Sequence, residues 1–181
     1  MSLKGAIGHF RTITRHRHRV IAHCARAGIF WQGLRHDLSK YSPTEFLPGA
    51  RYFQGNRSPN EAERETQGYS TAWMHHKGRN RHHFEYWVDI DPVSKTYQPV
   101  KMPLRFGVEM FCDRVAASKI YKGSDYTDRA PLDYFLGGKQ KRVIHPETSD
   151  FLEKLLTMLA EEGEEKTFLF VKKCIRDKNE Y

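Results

Sequence analysis

A histidine and an aspartate stand side by side at His36 and Asp37, within the segment GLRHDLSK (residues 33–40), which reads as part of an apolar helix. Burying both side chains costs free energy unless a partner binds each of them. A metal ion is one such partner, because neutral imidazole and ionised carboxylate are ordinary ligands of Zn, Mn and Fe. The pair therefore constrains the fold, since other elements have to bring further ligands to it.

The other histidines are concentrated in the N-terminal half of the chain. Of the ten histidines, all but His145 lie between residues 9 and 83. Apolar residues at helical spacing predict an amphipathic helix over about 10–27, with His16 on its apolar stripe and His23 near the edge. We therefore take His16 as the first candidate ligand and His23 as the second. Taken alone, His16 is explained equally well as a core histidine with a hydrogen-bonded partner.

Four more histidines flank a short turn in the segment HHKGRNRHH (residues 75–83). Gly78 is predicted to end one helix and Asn80 to cap the next, so the two histidine pairs should converge. Neighbouring aromatic residues favour burial of this segment over the alternative, a solvated basic turn. We expect at least two of the four to bind metal or act in catalysis, with His76 favoured over His75. The second pair is His82 and His83.

Asp113 is a further candidate ligand. It lies on a predicted helix over about 104–121, beside Glu109 and two small alanines that let another helix come close. A carboxylate in such a place is either paired with a basic side chain or bound to a metal. Arg114 does not share its face of the helix, which leaves the metal as an explanation.

The rest of the pattern is helical, apart from a polar loop over 89–103 with a short hairpin near 93–97. Two helix starts carry a capping serine and a glutamate at the third position, at residues 42–45 and 58–61. The 181 residues predict one compact all-α domain of about six to eight helices. Its ligand-bearing helices would span about 10–122, and a C-terminal helical scaffold about 130–178. The expected helices cover about residues 10–27, 29–40, 43–53, 59–76, 104–121, 131–136, 146–162 and 166–176.

The composition of the chain limits the kinds of ligand and the cellular location that we expect. The net charge of +8 is spread along the chain, which favours a small phosphorylated ligand over a nucleic-acid polymer. The chain has no run of about 18 apolar residues, so we expect no transmembrane helix and no membrane partner. The basic N-terminus lacks the apolar core of a secretory signal. Three widely spaced cysteines predict reduced thiols and a cytoplasmic location.

Two of these segments resemble motifs of the HD superfamily of metal-dependent phosphohydrolases, which is named for its paired histidine and aspartate. GLRHDLSK (33–40) resembles the central motif, including the lysine at Lys40, and FCDRVAA (111–117) resembles the last ligand helix. The pair His82-His83 is similar to the histidine pair of members that hold two or more metals. The blocks HDLSKYSPTEF and HHKGRNRHH also resemble those of an uncharacterised bacterial family.

The HD resemblance implies an HD-like helical domain that binds one or two divalent ions (Mn, Fe, Zn, Ni or Mg). It implies a phosphomonoesterase or phosphodiesterase, with nucleotides among its substrates, that uses metal-activated water. Lys40, Arg79 and Lys119 would neutralise phosphate oxygens. Catalytic roles would fall to Asp37, Lys40 and His83. The implied metal ligands are His16, His36, Asp37, His76, His82, His83 and Asp113.

Three alternatives remain at this point. The site could be mononuclear, with His16, His36, Asp37 and Asp113 as its ligands and the other histidines shaping the pocket or acting as acid or base. The protein could be an HD-type di-iron oxygenase. It could also be a basic helical module that binds RNA or DNA without a metal, but this would leave the carboxylates of Asp37 and Asp113 on apolar helices without a purpose.

Overall fold

In a computed structural model, which describes residues 2–178 and 181, the chain forms eight α-helices and one small antiparallel sheet. The predicted all-α class is confirmed. Within those residues, no helix is both long enough and apolar enough to cross a membrane. The helices are α1 (Leu3–Arg26), α2 (Phe30–Arg35), α3 (Pro43–Arg51), α4 (Pro59–Gln67), α5 (Thr71–Lys77), α6 (Leu104–Lys122), α7 (Ala130–Gly138) and α8 (Pro146–Asp177). The strands are β1 (Val88–Ile90) and β2 (Tyr97–Pro99), and short 3₁₀ turns cover Leu38–Tyr41, Phe84–Tyr86, Gly123–Asp125 and Lys139–Lys141.

The prediction of a helix over 29–40 was wrong, because α2 ends at Arg35. His36 already has an extended conformation, and Asp37 has φ +53°, in the left-handed region that aspartate tolerates better than most residues. A 3₁₀ turn over Leu38–Tyr41 follows. Neighbouring side chains on an α-helix diverge by about 100°, so a continuous helix could not direct His36 and Asp37 to one point. The break in the helix allows both side chains to face the same place.

The helix expected over 59–76 is also divided. Gly68 has φ +82° and ends α4, and the hydroxyl of Ser70 then caps α5 by accepting the backbone N–H of Trp73 at 3.0 Å. Asn80 does not cap a helix as predicted. Its amide donates instead to the carbonyl of His76 at 2.8 Å and so fixes the turn that follows α5.

Other elements agree with the sequence pattern. α6 has the predicted bounds to within a residue, and α8 is interrupted at Gly163, where two helices were expected. α1 begins seven residues earlier than predicted, with Ser2 accepting the N–H of Gly5 at 3.0 Å as a cap. The predicted hairpin is present, but its paired strands extend beyond 93–97, with Val88 opposite Pro99 and Ile90 opposite Tyr97.

The hydrophobic core lies between α1, α6, α7 and α8. Its fully buried large side chains include Phe111, Phe135 and Leu155. α2 packs closely on α1 because Gly33 has no side chain, and a Cβ there would lie 2.5 Å from the Cβ of Cys24. α1 and α6 thus pack against the core with one face, and their other faces carry the histidines and carboxylates described next.

Candidate metal centre

Two sets of potential ligands converge between α1, α6 and the two turns that carry histidines. The first ligand set is His16, His36 and Asp113. The second ligand set is Asp37, His76, His82 and His83. Within each set, one ligand atom per residue lies within 4.8 Å of all the others. Every metal ligand implied by the HD resemblance therefore belongs to one of the two sets.

The first ligand set brings α1, the end of α2 and α6 together. The Nε2 atom of His16 lies 2.9 Å from Oδ1 of Asp113, and Nε2 of His36 lies 3.7 Å from the same oxygen. Oδ2 of Asp37 lies 3.2 Å from Nε2 of His36 and 3.9 Å from Nε2 of His16. Asp37 is therefore a fourth potential ligand of this set.

The second ligand set is formed by the other oxygen of Asp37 and the histidine-rich turn. Oδ1 of Asp37 lies 3.2 Å from Nε2 of His76 and 3.4 Å from Nε2 of His82. Nε2 of His83 lies 2.9 Å from Nε2 of His76. Because its two oxygens face different sets, Asp37 is placed to bridge them.

These separations suit ligands that share an ion. Two atoms that each lie about 2.1 Å from one metal are about 3.0 Å apart at a right angle and about 4.2 Å apart when opposite. The contacts given above range from 2.9 to 3.9 Å. The residues present thus fit a metal centre without large rearrangement.

The donor atoms themselves lack hydrogen bonds. Among the described residues, both carboxylate oxygens of Asp37 and the Nε2 atoms of His16, His36 and His82 are buried without a well-directed hydrogen bond. His36 and Asp37 are each only 1% exposed. Of these five atoms, Oδ2 of Asp37 faces the ammonium of Lys40 at 2.6 Å. Buried polar atoms without a partner cost about 1–3 kcal/mol each, so the other four require a partner. A cation is such a partner for carboxylate oxygens and for imidazole lone pairs alike.

Two buried glutamates orient the histidine rings. Oε1 of Glu109 lies 2.9 Å from Nδ1 of His36 and 3.3 Å from Nδ1 of His82. Oε2 of Glu45 lies 2.7 Å from Nδ1 of His76. An ionised carboxylate only accepts hydrogen bonds, so Nδ1 carries the proton in each ring and Nε2 keeps its lone pair. This carboxylate–histidine pairing is the usual support of a metal ligand. Glu109 therefore acts as an orienting group, although its distances would also allow it to bind an ion.

The electrostatics of the cluster favour positive charge. Burial alone would raise the pKa of Asp37 and of Asp113, but the facing histidines, and Lys40 in the case of Asp37, hold both well below the usual range. Burial would lower the pKa of His36, but the charge of Asp37 and the close contacts with Asp37 and Glu109 outweigh it and raise the value to about 10. In the absence of a metal, a proton on His36 supplies part of the positive charge that the carboxylates require.

Comparison with known protein families finds one match, which spans residues 5–158 and contains both ligand sets. The chain belongs to the Family of unknown function (DUF5662). No curated protein and no solved structure matches the chain. The description of DUF5662 gives no activity, so the function has to be inferred from the site.

In this DUF5662 protein, Lys40 lies at the cluster as expected, with Nζ 2.6 Å from Oδ2 of Asp37. Two other predicted phosphate-binding residues do not face the cluster. Lys119 is paired with Glu164 of α8, on another side of α6. Arg79 is exposed, and its guanidinium contacts the carbonyl of His75 at 3.5 Å. The structure therefore brings neither side chain to the ligands.

The choices left open between histidines are resolved by their contacts. His23 points into the core, where Nδ1 lies 3.2 Å from the carbonyl of Cys112 and the ring packs on Phe168. His16 is therefore the histidine that α1 contributes. His75 turns away from the ligands, and its Nδ1 lies 2.6 Å from Oε1 of Glu45. His76 lies at the cluster, as favoured.

Sequence reasoning missed Glu109 and Glu45 as supporting residues. Glu109 precedes Asp113 by four residues and so shares its helix face, a spacing that could have identified it. Glu45 was interpreted as part of a capping box, yet the Ser42 side chain makes no cap hydrogen bond and Glu45 binds two histidines instead. Only the tertiary structure brings α5 to that carboxylate.

Proposed function

We propose that the protein is a metal-dependent phosphohydrolase with two divalent ions, one held by each ligand set and both contacted by Asp37. The observation that carries the proposal is the convergence of five buried ligand atoms without a well-directed hydrogen bond, of which one faces the ammonium of Lys40. The resemblance of residues 33–40 and 111–117 to the HD motifs supports the reaction class. The mixed nitrogen and oxygen donors suit Mn, Fe, Zn or Ni better than Mg.

The net charge of the cluster supports two ions over one. Asp37, Glu45, Glu109 and Asp113 contribute four negative charges, and Lys40 is the cation paired directly with one of them. With neutral histidines, three negative charges stay unbalanced. A single divalent ion would leave one negative charge unbalanced. Two divalent ions would give the site a net positive charge, which attracts a phosphate group.

Bound divalent ions supply this reaction with a water molecule of lowered pKa and with attraction for phosphate oxygens. The chain's own residues have separate tasks. Lys40 carries a positive charge at the edge of the cluster and neutralises phosphate oxygens. His83 is half-buried, with Nε2 at the cluster, so it serves either as a ligand or as the acid or base that moves a proton. Asp37 contacts both ligand sets and fixes their positions relative to each other. The substrate is a phosphomonoester or a phosphodiester.

The cytoplasm is the location that we propose for this activity. Cys24, Cys112 and Cys174 are free thiols, and all three are buried. Free cysteines are typical of proteins in a reducing compartment.

Elemental analysis of the purified protein tests the proposal. We expect about two equivalents of Mn, Fe, Zn or Ni in the wild type and almost none in the double variant His36→Ala/Asp37→Ala. The matched control His18→Ala/Asp150→Ala changes the same residue types at exposed positions and should keep its metal. Wild-type protein that contains no metal and takes up no added Mn or Fe would overturn the proposal.

Activity assays separate the reaction classes. Hydrolysis of p-nitrophenyl phosphate or bis(p-nitrophenyl) phosphate that requires metal and Asp37 supports the phosphohydrolase. Stoichiometric iron with oxygen consumption and no release of phosphate would instead indicate a di-iron oxygenase. Salt-sensitive binding of RNA or DNA by a metal-free protein would indicate the nucleic-acid-binding module.

A further inference from the structure

Three basic side chains border the metal centre on the side of α7. They are Lys77, Arg114 and Arg142, and we call them the basic group. Lys77 follows His76 at the end of α5, and Arg114 follows Asp113 on α6. Arg142 is bound to the end of α7. Two members of the basic group are therefore chain neighbours of potential metal ligands.

Arg114 carries its charge without a partner. Its Nε atom is buried and makes no hydrogen bond, and within residues 2–178 and 181 its side chain forms no salt bridge or ring contact. Burial, followed by the positive charge of Arg142, lowers the pKa of Arg114, and the negative charge of Asp113 does not offset this. A guanidinium offers five N–H donors, and buried donors are nearly always hydrogen-bonded. Arg114 therefore lacks the acceptor that its position requires.

Arg142 is fixed in position but is not neutralised. Its guanidinium donates to the carbonyl of Phe135 at 2.5 Å and to the carbonyl of Tyr134 at 3.3 Å. Gly138 leaves room for it, because a Cβ there would lie 2.6 Å from Nη2 of Arg142. Both partners are neutral carbonyl groups, so the positive charge of Arg142 stays unbalanced next to that of Arg114.

Glu85 is the carboxylate nearest to the basic group in charge, and it does not neutralise the group. It lies on the turn that follows His83, and its Oε2 atom is buried without a hydrogen bond. Among the described residues it forms no salt bridge. Burial raises the pKa of Glu85, and the positive charges of all three members of the basic group oppose this effect. One carboxylate balances at most one of three positive charges, so two remain.

Two unpaired arginines at this place suit a phosphate group. The planar guanidinium binds two phosphate oxygens at once, and two like charges near each other become favourable when an anion lies between them. The Cα atoms of Asp113 and Arg114 are about 3.8 Å apart, as in any pair of chain neighbours. A phosphate bound by Arg114 is therefore close to a phosphate bound at the metal centre.

We propose that the substrate carries a second phosphate group, which Arg114 and Arg142 bind while the first lies at the metal centre. This inference rests on the proposed phosphohydrolase. In the reaction, the P–O ester bond at the metal centre breaks while the oxygen of water forms a new P–O bond. One proton from that water ends on the oxygen of the leaving alcohol. The second phosphate stays on that alcohol, and inorganic phosphate is the other product.

Titration calorimetry of the metal-loaded protein with ethylenediphosphonate and ethylphosphonate tests this site without turnover, because their C–P bonds are not hydrolysed. We expect the wild type to bind the diphosphonate at least about tenfold more tightly, since the second group adds hydrogen bonds between charged partners. Arg114→Gln should lower the affinity for the diphosphonate by about 10- to 100-fold and change that for ethylphosphonate much less. Arg114→Lys keeps the charge and should recover part of the loss.

The matched control Arg105→Gln removes the same charge from an exposed position of α6 and should bind both compounds normally. Urea unfolding and elemental analysis check that each variant is folded and holds its metal. Equal binding of the two phosphonates by the wild type, or unchanged diphosphonate binding by Arg114→Gln, would overturn the inference and leave the phosphohydrolase standing. An equal loss of both compounds in Arg114→Gln would indicate a site for a single free phosphate and would also overturn it. Diphosphonate binding that requires Arg114, in a protein that hydrolyses no phosphate ester, would support the two-phosphate site and overturn the phosphohydrolase.

Discussion

The change Glu109→Gln tests how the centre is built, because Glu109 contacts a histidine of each ligand set. Its Oε1 atom accepts from His36 at 2.9 Å and lies 3.3 Å from Nδ1 of His82, while Oε2 accepts from Gln32 at 2.5 Å. Glutamine has a similar shape but only one acceptor oxygen. Whichever way the amide turns, an N–H donor on one side faces another donor.

The expected loss can be estimated from these contacts. Removing a carboxylate that supports a metal-bound histidine typically lowers metal affinity by about 10- to 100-fold, which corresponds to about 1.4–2.7 kcal/mol. Each lost bond to a charged acceptor also costs about 1.5–3 kcal/mol of stability. Since Glu109 serves both ligand sets, the affinities for both ions should fall together.

Competition with a fluorescent chelator for Mn or Zn measures this loss, and urea unfolding measures stability. Glu63→Gln is the matched control, because Glu63 is equally buried and accepts from Ser70 at 2.5 Å and from Thr71 at 2.6 Å, away from the cluster. The control should lose stability and keep its metal affinity. An unchanged affinity in Glu109→Gln, or an equal loss in both variants, would refute the orienting role.

Three further outcomes are expected. Glu45→Gln should weaken the ion of the second ligand set about tenfold and spare the first, in the same chelator assay, because Glu45 supports His76. His23 has its pKa lowered to about 4, chiefly by burial, so the unfolded chain takes up a proton below about pH 6.5 that the folded chain refuses. The free energy of unfolding should therefore fall by about 3 kcal/mol between pH 6.5 and 4 because of His23. In His23→Gln this contribution is absent, so the free energy of unfolding measured with urea should depend on pH by one proton less. Gly33→Ala should lower the free energy of unfolding by about 1–3 kcal/mol in urea, because its Cβ would lie 2.5 Å from the Cβ of Cys24.

Much of the helical framework follows from the spacing of apolar residues alone. α6 and the two segments of α8 match their predicted bounds closely, because long amphipathic helices repeat their pattern over several turns. The end of α2 does not follow from that pattern. Neither glycine nor proline marks the break at His36, and the left-handed conformation of Asp37 depends on contacts with residues distant in sequence.

The ligands were easier to predict than the residues around them. Histidines and aspartates within apolar segments are unusual enough to stand out, and the resemblance to the HD motifs then implied the ligands of both sets. The sequence pattern does not show in which direction a lysine or arginine side chain points. Lys119 was expected to bind phosphate, yet its partner Glu164 lies 45 residues further along the chain. Such long-range pairing is visible only once α6 and α8 are packed together.

The burial of α6 connects the fold to the proposed chemistry. Val108, Phe111 and Val115 are fully buried in the core, and Glu109 of the same helix is only 4% exposed. Water therefore cannot balance the charge of Glu109, and histidines and a cation have to do so. The same helix face carries Asp113 one turn later, where His16 of α1 meets it. A helix buried on both sides that carries two carboxylates is stable only when opposite charge is supplied across that face, so a metal ion bound there would also stabilise the fold.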